Sequence, residues 1–152
     1  KLGGILTELG FTPKGGVDYA IIGIGINCCQ KETDFVTECK AALNNWSPFS
    51  VDYNCIELLL PTPSIVASPE LSKELSEIHS LLVSIAPSEM DSWSSKELWH
   101  PHTTLFYNAE IDLQIILERM KNCFTPFGAN VCRIEFSKVT DNGYEIIDSV
   151  TL

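Results

Sequence analysis

The sequence predicts an α+β fold: an antiparallel sheet carrying two amphipathic helices, with a β-hairpin in front of it. Apolar residues recur at helical spacing in two places, at Leu71, Leu75, Ile78, Leu82 and Ile85 and again at Leu113, Ile116, Leu117, Met120 and Phe124. That is the stripe a helix lays on a sheet. Around these stripes stand short runs of β-branched, aliphatic and aromatic residues bounded by Pro, Gly, Asn and Asp, the composition of strands and turns. From residue 49 onward the order reads strand, helix, strand, helix, strand, strand, which argues for a sheet under helices.

Taken in order, residues 1–9 and 19–28 read as a hairpin around the turn-rich Thr12-Pro13-Lys14-Gly15-Gly16. Gly23 and Gly25 leave one face of the second strand as bare backbone, which suits either a core strand or the close approach of another segment or a ligand. Asn27 follows on that face. Residues 32–43 fit a short helix with Phe35, Cys39 and Leu43 at a four-residue repeat. Asn44-Asn45 and Ser47-Pro48 have turn chemistry, and the chain divides there into segments 1–47 and 48–152.

In the second segment, residues 51–60 carry Cys55-Ile56-Glu57-Leu58-Leu59-Leu60, a nearly continuous apolar run that suits a strand buried on both faces, ended by Pro61 and Pro63. Ser68 and Pro69 read as the cap and first position of a helix reaching Ile85. His79 within it reads as a boundary or surface histidine. Residues 87–96 form a polar loop, and residues 98–107 a strand. Asn108-Ala109-Glu110 opens the second helix, which Pro126 stops. Residues 130–152 alternate as a hairpin: Cys132, Ile134 and Phe136 face one way, Asp141-Asn142-Gly143 turns, and Tyr144, Ile146 and Val150 return.

Chemistry concentrates in Trp99-His100-Pro101-His102-Thr103-Thr104-Leu105-Phe106-Tyr107. Pro101 biases His100 towards extended backbone. Residues two apart in a strand share a face, so His102 and Thr104 project together. A hydroxyl there holds a phosphate oxygen while an imidazole gives or takes a proton near neutrality. The same spacing also suits a buried strand with a satisfied histidine. Arg133 stands on its strand opposite Ile134, either reaching a phosphate or simply exposed.

A formal net charge of −10 disfavours long nucleic acids and anionic membranes, which need basic surfaces, and leaves a short nucleotide end open. No apolar run is long enough to span a bilayer. Cys28, Cys29, Cys39, Cys55, Cys123 and Cys132 show neither Cys-x-x-Cys nor metal-ligand spacing, so reduced thiols and a cytoplasmic setting are expected, with no metal. The chain opens at Lys1 in what reads as the middle of an element, as a fragment would.

The run Trp-x-Pro-His-x-Thr-Leu, following a His-containing helix and preceding a second amphipathic helix, resembles the second His-x-Thr motif of the two-histidine phosphoesterases, the 2'-5' RNA ligase-like cyclic phosphodiesterases. The resemblance covers residues 49–152 and implies one lobe of that family. It also implies a reaction that needs no cofactor, the opening of a 2',3'-cyclic phosphate on a nucleotide or RNA end. One histidine acts as base, another as acid, and threonines bind the non-bridging oxygens. His102 and Thr104 supply one half, and this chain holds only that one His-x-Thr. A second lobe, as in a homodimer, completes the site.

Residues 1–45 carry a second resemblance. Lys1-Leu2-Gly3-Gly4-Ile5-Leu6-x-Glu8 and then Ile22-Gly23-Ile24-Gly25-Ile26-Asn27 are similar to the central hairpin of biotin protein ligases. This implies ATP and biotin as ligands and a biotin carrier protein as partner. Lys1 would lie at the phosphate of biotinyl-adenylate, and Gly23, Gly25 and Asn27 would line the nucleotide site. A third reading is non-catalytic: a composite or truncated product that merely folds, or that binds a nucleotide without turning it over.

Overall fold

A computed structural model describes residues 7–11, 17–22, 32–85, 98–140 and 143–152. Its described elements are β1 (Thr7–Phe11), β2 (Val17–Ile22), α1 (Glu32–Leu43), β3 (Phe49–Leu59), β4 (Ser64–Pro69), α2 (Lys73–Ile85), β5 (Thr103–Tyr107), α3 (Leu113–Lys121), β6 (Phe127–Val131), β7 (Arg133–Thr140) and β8 (Gly143–Thr151). This is an α+β fold. The central sheet has the order β5-β4-β3-β6, all neighbours antiparallel. β1 pairs with β2, and β7 with β8, in two further antiparallel pairs.

The hairpin β1–β2 lies with β2 beside β6 and β1 beside β5, the two edges of the central sheet. One hairpin flanks both edges because the sheet curls. Edges flanked in this way are less available to pair with another chain.

Directly paired residues of an antiparallel ladder share a face, so the register sorts the side chains. Ile56, Ala67 and Thr103 form one row across β3, β4 and β5, and Leu58, Ile65 and Phe106 form the next. This face is the apolar one. Val51, Tyr53, Ile56, Ile65, Ala67, Ala129 and Val131 are buried in one core with Leu75 of α2 and Leu113 and Leu117 of α3. A second core joins Val36, Cys39 and Leu43 of α1 to Ile78 and Leu82 of α2 and Ile134 and Phe136 of β7. Lys40 Nζ donates to both carboxylate oxygens of Asp148, at 2.9 and 2.8 Å, tying α1 to β8. That lysine, with the Ser149 amide, holds the Asp148 carboxyl below its ordinary range.

One polar pair sits inside the apolar face. Tyr53 Oη and Thr103 Oγ1 lie 3.0 Å apart, both buried, and burial pushes the Tyr53 phenol up despite the bond from Thr103. Thr103→Val leaves the phenol without its partner, which costs about 1–3 kcal/mol. Adding Tyr53→Phe removes both polar groups and is expected to recover most of that loss. Urea denaturation of the single and double variants checks this; a double variant as unstable as the sum of the singles would contradict it.

Several expected elements lie elsewhere. Ser68 and Pro69, read as the cap and first position of a helix, instead end the interior strand β4, in which Ile65, Val66 and Ala67 are each fully buried between β3 and β5. Ser72, not Ser68, caps α2: its Oγ accepts from the Leu75 amide at 3.1 Å. Leu71 therefore precedes the helix and is exposed. β3 is not buried on both faces but alternates along Phe49, Val51 and Tyr53. Asp112 caps α3, accepting from the Gln114 amide, whereas Asn108 closes a separate turn onto Glu110. β6 pairs with β3 rather than entering the last hairpin, so Cys132 falls between strands and is exposed. Tyr144 and Ile146 are also exposed. At the hairpin's turn Gly143 has φ of 124°, a conformation for which glycine is the natural residue.

Candidate functional site

The opposite face of the central sheet is the polar one. Glu57, Val66 and Thr104 form a row across β3, β4 and β5, and Cys55 and Ser68 form the adjacent row. His102 immediately precedes β5, one step beyond Thr103, which pairs with Ala67. Alternation therefore places His102 on the Thr104 face, at the end of the Cys55–Ser68 row. Ser64, Val66 and Ser68 are buried here, while Thr104 is exposed and the side chains of His100 and Glu57 are about half exposed.

The approach to β5 is fixed from the apolar side. Trp99 stacks on His79 of α2, ring centroids 4.1 Å apart and planes within 11°. His79 is 1% exposed, so the expectation of a boundary or surface histidine is corrected. It stands beside Ile78 in the buried stripe Leu75, Ile78, His79, Leu82, and an aromatic neighbour makes the position habitable for an imidazole. Thr103, bonded to Tyr53, fixes the other end of the segment. His100 and His102 stand between two anchored residues.

His102 Nδ1 lies 2.8 Å from the His100 carbonyl oxygen. A carbonyl only accepts, so Nδ1 carries the proton and Nε2 is the basic nitrogen. Burial holds the His102 imidazole below its ordinary value of 6.5; the His100 carbonyl opposes this, positive charge on His100 adds to it, and Glu57 opposes it. The ring is thus biased towards the neutral form that accepts a proton.

The sign of the pH effect on stability follows. Above 6.5 the ring is neutral in both folded and unfolded chains. As pH falls through that value the unfolded chain takes the proton first, so stability declines. The melting temperature of the wild-type chain is expected to drop faster than that of His102→Gln on acidification from neutrality. Parallel curves would contradict the assignment.

Three further side chains join the site. Ser68 Oγ donates to Glu57 Oε1 at 2.6 Å, and His100 Nε2 lies 2.9 Å from Ser68 Oγ and 3.1 Å from Glu57 Oε1. Serine and carboxylate meet the same ring nitrogen. This is not a nucleophile relay, in which the two partners occupy opposite nitrogens of the imidazole. It is a clamp that orients His100. The rings of His100 and His102 have centroids 6.2 Å apart.

Of the residues singled out by sequence, His102 and Thr104 share this face. Lys1, Gly23, Gly25 and Asn27 lie outside the described residues, as does the polar loop at 87–96. Arg133 Nη2 is 2.6 Å from Glu135 Oε1 on its own strand, in the β7–β8 pair and not in the central sheet. Among the described residues, Cys55, Cys123 and Cys132 are free, exposed thiols, and Cys39 is buried in the α1 core. Among the described residues, no group of three or more His, Cys, Asp or Glu side chains could hold a metal ion, and no helix is long and apolar enough to cross a membrane.

His100, Glu57 and Ser68 were not singled out by spacing. Yet the alternation that pairs His102 with Thr104 also pairs His100 with His102, and Glu57 is the one charge inside the run Cys55-Ile56-Glu57-Leu58-Leu59-Leu60. No family model matches this chain, and no curated protein matches it.

Proposed function

We propose that the polar face of the central sheet performs acid–base phosphoester chemistry, opening a 2',3'-cyclic phosphate on a nucleotide or short RNA end. The observation that carries this reading is the His102 bond to the His100 carbonyl, which presents Nε2 as a base in a partly buried setting. Thr104, on the same face and exposed, supplies a hydroxyl for a non-bridging phosphate oxygen. Water loses a proton to His102 as its oxygen attacks phosphorus, and the departing sugar oxygen takes a proton from a second group. The net charge of −10 suits a small substrate met at close range better than a long polyanion. A cytoplasmic setting is in keeping with the free thiols of Cys55, Cys123 and Cys132.

The test is incubation of the purified chain with adenosine 2',3'-cyclic phosphate. Formation of the phosphomonoester supports the reading; substrate unchanged at every protein concentration overturns it.

A further inference from the structure

We infer that His100 is the second proton-transferring group of this site, so that one chain carries both base and acid; the inference rests on the phosphoester reading above. His100 and His102 lie two residues apart in the segment that leads into β5, with ring centroids separated by 6.2 Å. The ring planes are 28° apart, so a phosphate meets the two imidazoles at their edges, where the nitrogens lie and two oxygens on one phosphorus can each come within hydrogen-bond reach, about 2.6–3.2 Å, of one ring. The two rings have different surroundings. His102 is buried and anchored through Nδ1, whereas His100 is half exposed and anchored through Nε2 by Glu57 and Ser68. Paired groups in contrasting environments are how one site divides acid from base work.

The Glu57 carboxylate has a definite part in this division. It accepts from Nε2–H of His100, which leaves Nδ1 on the far side of the ring to carry the transferable proton. Among the described groups that act on His102, the charged ones are His100 and Glu57. The proton balance closes within the pair. His102 Nε2 takes a proton from water as the new P–O bond forms; one ring P–O bond breaks, its electron pair staying on the sugar oxygen, which receives the proton from His100 Nδ1. Release of the monoester leaves His102 protonated and His100 neutral, and exchange with solvent restores both.

A purely structural role for His100 predicts something different. The group that positions His102 is the His100 carbonyl, which His100→Ala retains. Loss of activity in that variant therefore reports the imidazole itself.

The experiment measures initial rates on adenosine 2',3'-cyclic phosphate as protein concentration and pH are varied, for the wild-type chain, His100→Ala, His102→Ala and Glu57→Gln. The expected result is a wild-type rate first order in protein with a bell-shaped pH profile. His100→Ala slows turnover about 10²-fold and removes the limb that belongs to the acid. Glu57→Gln, which keeps a hydrogen-bonding group without its charge, slows it at least about tenfold. If the wild-type chain turns over and loses activity in His102→Ala, but His100→Ala stays within about twofold with both limbs intact, this inference falls and the phosphoester reading stands. A rate second order in protein has the same meaning: a partner chain supplies the acid. Absence of wild-type turnover overturns both.

Discussion

Ile65→Ala is expected to lower the unfolding free energy by about 2–5 kcal/mol, among the largest losses any single substitution here will give. Ile65 is fully buried in the interior strand β4, paired with Leu58 on one side and Phe106 on the other. It shares a core with residues of α2 and α3. Removing three carbons there leaves a cavity whose walls are strands held on both sides and so collapse little. Domains have only about 5–15 kcal/mol of stability in total, so the variant should show a much lower denaturant midpoint. Ile115→Ala is the control: Ile115 is 57% exposed on α3, and a change within about 0.5 kcal/mol is expected. Equal losses at the two positions would mean that β4 does not lie at the centre of the sheet.

His102→Ala is expected to slow hydrolysis of a 2',3'-cyclic phosphate by about 10²–10⁴-fold, the usual contribution of a positioned general base. Truncation of a buried ring also opens a small void, so His102→Gln belongs beside it. Glutamine fills more of the space and offers an amide N–H to the His100 carbonyl, but has no nitrogen basic enough to take a proton from water. Both variants should keep a cooperative melting transition and lose activity together. Activity retained by His102→Gln would reduce His102 to a structural residue, and the wild-type pH dependence of stability would then be its only measurable trace.

Much of the fold is legible in the sequence wherever one periodicity holds without interruption. The stripes Leu75, Ile78, Leu82 and Leu113, Leu117 lie on the helices they predict and are buried. Residues 32–43 are the helix expected of them. The strand β4 is hidden because Ser64-Ile65-Val66-Ala67-Ser68-Pro69 is short, and because Pro61 and Pro63 before it and Pro69 within it have the same composition as a helix approach. Proline is tolerated at Pro69 because it closes the strand, where the ladder with β3 is already irregular. The exchange of Ser68 for Ser72 as helix cap follows from the same error: once Ser68 is needed in the strand, the next serine does the capping.

At the site, alternation over two residues is enough to place His102 and Thr104 on one face, because it is a local rule. His100, Glu57 and Ser68 come from three separate stretches of chain, and only sheet register brings the last two beneath the first. His79 has a different lesson. It follows Ile78, a member of the apolar stripe, and its polarity argues for the boundary of that stripe; the Trp99 ring, twenty residues later, stacks on it in the buried interior. A histidine's neighbours across the fold determine its exposure as much as its own element does.

The most direct measurement of the central claim is a phosphorus NMR time course of adenosine 2',3'-cyclic phosphate with the wild-type chain and His102→Ala side by side. The cyclic phosphate signal is expected to give way to that of a monoester with the wild-type chain and to persist with the variant. A cyclic signal that persists with both, or disappears equally with both, would contradict it.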